Sequence, residues 1–139
     1  MIETGISKND RSTPLASDEL AVHRAIYQQT PAQAIVHAHP PHAVALSLVE
    51  DKIMPTDTEG LTTMGQIPVL GWNMKVKPGG LADVIAQALK QHHIVMIHGH
   101  GSFAVGQLLE GAYSYATTLE ESCRVIYLLR SLQVGSGKE

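Results

Sequence analysis

The sequence predicts an α/β fold, and three observations support that prediction. Short apolar runs of strand length occupy residues 34–39, 66–70, 94–97 and 102–105. Between and after them lie stretches near residues 18–29, 81–90 and 107–133 whose apolar residues recur every three to four positions, the helical period. Two of the strand-like runs also end alike: Ala34-Ile35-Val36 leads into His37-Ala38-His39, and Ile94-Val95-Met96-Ile97 leads into His98-Gly99-His100. Alternate residues of a strand face the same way, so His37 and His39 should project side by side. Pro40-Pro41 follows at once and should end the ladder, leaving the pair at a strand tip.

Residues 1–15 carry no periodicity and hold Gly5, Asn9, Asp10 and Pro14, which predicts a site-lining loop or the cut edge of a longer chain. Ser17 is the expected N-cap of a helix over residues 18–29, buried through Leu20, Ala21, Ala25 and Ile26, with Glu19 and His23 four apart on one face. Thr30-Pro31 breaks it and leads into the first His strand. Residues 42–49 read as a short buried helix in which His42 is a bystander, and Glu50-Asp51-Lys52 as a surface turn. Residues 54–64 read as a loop containing Asp57, Glu59 and Gly60. In the strand at 66–70, Pro68 favours an edge position. Pro78-Gly79-Gly80 is a turn before the helix at 81–90, and His92 and His93 lie just past that helix. Gly99 and Gly101 flank His100, which suits a ligand-bearing turn better than a core strand. The final helix, residues 107–133, presents Leu109, Ala112, Ala116, Leu119, Cys123, Ile126 and Leu129 or Arg130 at helical spacing, with Tyr113 and Tyr115 as packing residues. Residues 134–139 read as a disordered tail.

A chain of 139 residues with 44% hydrophobic residues is expected to form a single domain, residues 1–139, with a real core. Ten Lys and Arg against 13 Asp and Glu give a net charge of −3 without a basic cluster, so neither nucleic acid nor an anionic membrane is an expected partner. Cys123 is the one cysteine, which excludes an intrachain disulfide and suits a reducing, cytoplasmic location. No leader pattern and no apolar run near 18 residues is visible, so neither export nor a membrane span is expected.

Neutral imidazoles are good ligands for borderline divalent metals such as zinc, and three protein ligands with an open position is the catalytic pattern. His37, His39 and one of His98 or His100 could supply the nitrogens, and Glu19, Asp57 or Glu59 a displaceable carboxylate. The order Ser17-x-Glu19-x-x-x-His23, then Ile35-Val36-His37-Ala38-His39, then His100-Gly101 before a small strand and a long helix, resembles the class II aldolase/adducin family.

That resemblance implies a three-layer α/β/α sandwich around a largely antiparallel sheet. It implies Zn2+ or another divalent metal on His37, His39 and His100, a catalytic carboxylate at Glu19, and His98 and Glu59 as accessory residues. It further implies that Thr4, Gly5 and Ser17 contact the substrate or its phosphate, and that the active site lies between subunits of a homotetramer or other homo-oligomer. The implied activity is a metal-dependent aldolase acting on a small ketose or ketose phosphate. The alternatives are an epimerase or dehydratase on the same scaffold, or a non-catalytic adducin-like interaction module. The chain departs from the family pattern in lacking an N-terminal Gly-Asn segment and in carrying Asp18 beside Ser17, where a carboxylate repels phosphate unless it turns away. It therefore reads as N-terminally short.

Overall fold

The computed structural model describes residues 2–72 and 78–135. In chain order the elements are α1 (Leu20–Gln29), β1 (Ala34–Ala38), α2 (Pro41–Ser47), β2 (Lys52–Ile53), α3 (Thr58–Thr63), β3 (Ile67–Leu70), α4 (Ala82–Ala88), β4 (Ile94–Ile97), β5 (Gly101–Gly106) and α5 (Leu109–Gly135). The strands form one sheet in the order β1-β5-β4-β3-β2. All neighbours are antiparallel except β3 and β4, which run parallel and are joined through α4.

Strand alternation divides the apolar side chains between two faces. Ile35, Val95, Ile97, Phe103 and Val105 meet Val22 and Ile26 of α1 and Ile85 of α4. Ile67, Ile94, Met96 and Ala104 meet Leu46 of α2 and Leu119, Cys123 and Ile126 of α5. The result is the expected α/β/α sandwich. β4 is buried at every position because helices cover both of its faces, and this is why it reads as an unbroken apolar run. Phe103, fully buried, is the largest side chain of the core. Its burial contributes about 1.5–3 kcal/mol, and its ring also floors the site described below.

The structure corrects several local expectations. α1 begins at Leu20 with Glu19, not Ser17, in the cap position; the Ser17 hydroxyl accepts from the Glu19 N–H at 3.1 Å and donates to the Glu19 carboxylate at 2.8 Å. Val22 replaces Ala21 in the buried stripe. Residues 58–63 of the expected loop form α3, whose amide end is capped by Asp57 accepting from Gly60 N–H at 3.0 Å. This helix has no apolar stripe to announce it; it docks on α5 through Gly60, where a side chain would run into Ser122 and Pro55. Lys52, expected in a turn, belongs to β2, so Pro68 of β3 lies one strand in from the edge, opposite Lys52. Within the opening loop Thr13–Leu15 makes a short 3-10 turn. Tyr113 is exposed rather than packed, whereas Tyr115 stacks on His93. α5 runs through Val134 and Gly135, which the sequence assigned to a disordered tail, because the helical ladder continues to that point; residues 136–139 lie outside the described residues.

Candidate metal and catalytic centre

β1 and β4 flank β5 and are both antiparallel to it, so they run parallel to each other and end at the same edge of the sheet. Both His-bearing segments therefore arrive at one place. His37 pairs with Phe103 across the β1–β5 ladder and lies on the α1 face, its ring 4.2 Å from that of Phe103 and near-parallel to it. The His37 Nδ1–H donates to the Ser102 carbonyl at 2.8 Å, which fixes the tautomer and leaves Nε2 with a bare lone pair. His39, two residues on, brings its Nε2 to 3.1 Å from His37 Nε2.

The second pair behaves differently. Residues 98–100 form a tight turn between β4 and β5, with Gly99 at φ +65°, so strand alternation no longer applies there. His100 turns toward His37, the two rings lying 5.3 Å apart and near-parallel, while His98 turns to the other side, where its Nδ1 meets the Ser47 carbonyl at 2.7 Å. His98 and His100 thus do not project side by side as the strand-end reading expected. Gly101 follows because there is no room for a side chain: a Cβ would strike the Ala38 carbonyl and the His39 ring.

One ligand nitrogen each from His37, His39 and His100 lie within 4.8 Å of one another. Glu19, at the start of α1, completes the cluster: its Oε1 is 3.3 Å from His100 Nε2 and 3.7 Å from His37 Nε2. The Ser17 hydroxyl donates to Oε2 at 2.8 Å, which leaves Oε1 aimed at the imidazoles. That hydroxyl is the main cause holding the Glu19 carboxyl below its usual range; partial burial opposes it, and His37 and His100 assist. Burial is the main cause keeping His37 below its ordinary value of 6.5, against the pull of the Ser102 carbonyl and Glu19. The two shifts favour a neutral His37 ring beside an ionised Glu19 carboxylate at neutral pH.

The donor set fits a divalent cation. His100 Nε2 is buried and has no hydrogen-bond partner, His37 Nε2 is a bare lone pair facing another imidazole nitrogen, and a carboxylate oxygen stands alongside. A cation shared by these atoms would satisfy His100 Nε2 and take the place of the proton that His39 and His37 share across 3.1 Å.

The other carboxylates are elsewhere. Asp57 caps α3, and Glu59 is exposed in the first turn of α3 on the α5 side of the sheet, opposite the face that carries Glu19. Thr4, Gly5 and Ser17 do share a cavity of about 700 Å³ together with His23, Arg24 and Tyr27. The donors expected to contact substrate there are already engaged: Gly5 N–H and the Thr4 hydroxyl both bond the Asp10 carboxylate, at 2.7 and 3.0 Å. Arg24 closes the loop over α1 by donating to the Gly5 and Lys8 carbonyls and to Asn9. His42, expected to be a bystander, donates from Nδ1 to Glu120 at 2.8 Å. Cys123 is buried and its thiol is pushed up to about 12, chiefly by that burial, so it is no nucleophile. Three contributors were not foreseen from the sequence: the Ser102 carbonyl, the Phe103 floor and Asp10. Each depends on strand register or loop closure, which no local pattern announces.

Comparison with known proteins matches residues 1–127 to the family described as "Class II Aldolase and Adducin N-terminal domain". Among solved structures, an L-fuculose-1-phosphate aldolase from Thermus thermophilus superposes with a TM-score of 0.83 and 36% identity, over 95% of this chain and 70% of that one. Among curated relatives, a 3-oxo-tetronate 4-phosphate decarboxylase from Pectobacterium atrosepticum is 29% identical over 81% of this chain and 54% of its own length. A 3,4-dihydroxyphthalate decarboxylase from Arthrobacter keyseri is 31% identical over 76% of this chain and 45% of its own. The chain thus spans about half the length of the curated relatives it matches. With the matched family covering nearly the whole chain and the His cluster sitting where strand pairing puts it, the chain belongs to the class II aldolase/adducin family.

Proposed function

We propose that this chain is one class II aldolase/adducin-like domain that acts as a metal-dependent aldolase, an aldehyde-lyase, cleaving or forming a C–C bond in a small ketose or ketose phosphate. The observation that carries the reading is the Glu19 carboxylate oxygen standing 3.3 Å from His100 Nε2 at the rim of a three-imidazole cluster. His37, His39 and His100 would hold the cation, Zn2+ by preference for an all-nitrogen set. When bound, the metal supplies Lewis-acid stabilisation of negative charge on oxygen. The remaining steps belong to the chain. Glu19, ionised, takes the hydroxyl proton as the C–C bond breaks and the aldehyde leaves; the same carboxyl then returns a proton to carbon. Ser17 holds Oε2 so that Oε1 faces the reacting atoms, and Ser102 holds the His37 ring. Phe103 closes the floor of the site to water.

Substrate contacts at Thr4, Gly5 and Ser17 require these donors to exchange partners, since Asp10 and Glu19 hold them now. A second reading, decarboxylation, is favoured by the two decarboxylase relatives; in the first of them, loss of CO2 from a 3-oxo acid also breaks a C–C bond and leaves negative charge on a neighbouring oxygen. Epimerase or dehydratase chemistry would use the same Glu19 and imidazoles, whereas bound zinc with no turnover on any of these substrates would point to a non-catalytic adducin-like module. We place the protein in the cytoplasm, on the strength of a single, buried, unpaired cysteine; recovery in an oxidising extracellular fraction would contradict this. Among the described residues no helix is long and apolar enough to cross a membrane.

Four outcomes are expected. Replacing His37, His39 or His100 singly by Ala should leave less than stoichiometric zinc after dialysis, while His92→Ala should retain it; full zinc in His100→Ala would remove the third ligand. Protons compete for the same lone pairs and burial holds His37 below its ordinary value of 6.5, so zinc should be retained at neutral pH and lost only as the pH falls below 6.5. At matched metal content, Glu19→Gln should keep the fold and the zinc but lose about 10²–10⁴-fold in retro-aldol or decarboxylation rate, the usual worth of general acid–base catalysis. An unchanged rate would mean that Glu19 is not the base. Finally, Tyr127, Leu128, Leu132 and Val134 of α5 are exposed, and we propose that they are covered in a homotetramer or other homo-oligomer. Sedimentation as a 15.0 kDa monomer at micromolar concentration would contradict this.

A further inference from the structure

We infer that His98 and Ser47 are positioning residues: together they clamp the turn between β4 and β5 so that His100 presents its Nε2 to His37 and His39. The inference rests on the metal-centre reading above and assigns a task to residues outside the ligand cluster. Within the cluster the His100 ring stacks on His37 and its Nε2 lies 3.3 Å from Glu19 Oε1, while its backbone N–H bonds the Ile97 carbonyl at 3.0 Å. The path of the turn that delivers the ring there is set by the two residues before it, and these are held from outside the turn. The His98 N–H donates to the Leu70 carbonyl at 2.9 Å. The His98 Nδ1 lies 2.7 Å from the Ser47 carbonyl, which only accepts, so Nδ1 carries the proton. The edge of Trp72 rests against the same ring. Gly99 N–H donates to the Ser47 hydroxyl at 2.8 Å, and that hydroxyl donates onward to the Val44 carbonyl at 2.7 Å.

Ser47 is completely buried, so none of these bonds can be exchanged for water without cost. It is also the last residue of α2, whose first residue, Pro41, lies two positions after His39. At its other end α2 is tied to α5: the Glu120 carboxylate accepts from the N–H groups of His42 and Ala43 at 3.0 and 3.1 Å. α2 is therefore a strut between the segment bearing His39 and the turn bearing His100, with both ends fixed. A shift of either end would change the separation of two imidazoles that a cation must span.

The test is the zinc affinity of the full chain, measured by competition with a chelator, for wild type, His98→Ala, His98→Asn and Ser47→Ala, with folding checked by circular dichroism. An Asn amide can place an N–H where His98 Nδ1–H stands, but has no imidazole to offer a metal. His98→Ala and Ser47→Ala should each weaken zinc binding about 10–100-fold, the usual worth of a residue that orients a ligand, and His98→Asn should recover most of the loss. Wild-type affinity in folded His98→Ala or Ser47→Ala would overturn the proposal. So would equal loss in His98→Asn and His98→Ala, which would make the ring itself the essential group. If His98→Ala does not fold, Ser47→Ala and His98→Asn decide in the same way. Failure of the metal-centre reading would show differently, as absence of zinc binding in the wild type.

Discussion

β5 is paired antiparallel with β1 along one side and with β4 along the other, and the geometry of the site follows from that double pairing. It forces β1 and β4 to point the same way, so two histidine-bearing strand ends separated by about sixty residues of chain meet at one edge of the sheet. It also sets the register that puts His37 opposite Phe103 and within reach of the Ser102 carbonyl. A slip of one residue would move His37 to the α2 and α5 face, away from Glu19. The apolar layers on both sides, with Val95, Phe103 and Val105 on one and Met96 and Ala104 on the other, are what hold that register.

The site gathers polar groups that face one another without a full set of hydrogen bonds. Ser47, by contrast, is paired with Gly99 and Val44, and Glu120 with the start of α2. At the cluster two imidazole nitrogens lie 3.1 Å apart, and His100 Nε2, buried without a hydrogen bond, faces the Glu19 carboxylate at 3.3 Å. Local electrostatic cost of this kind marks a place built to receive something. Burial of His37 and the Ser17 hydroxyl on Glu19 push in compatible directions, keeping the ring neutral and the carboxylate charged.

Much of this was legible in the sequence because it is periodic or paired. The apolar runs of β1, β4 and β5 and the helical spacing of α5 announce themselves, and so does His37-Ala38-His39 before Pro40-Pro41. What stayed hidden depends on partners distant in sequence. α3 is too short to show a stripe, and its place is set by Gly60 lying against Ser122. His98-Gly99-His100 looks like a strand-end pair, but the positive φ of Gly99 sends the two rings to opposite sides. Ser17 resembles a helix cap, yet its hydroxyl serves the neighbouring carboxylate. Asp10 is an ordinary loop residue until the chain folds back and brings Thr4 and Gly5 onto it.

Three imidazoles of one chain are proposed to hold a single divalent cation, and X-ray absorption at the zinc edge of the metal-loaded protein reads that shell directly. Three imidazole nitrogens at about 2.0–2.1 Å, with oxygen completing the sphere and no sulfur, are expected. A first shell with two imidazoles or fewer, or one containing sulfur, would contradict that proposal.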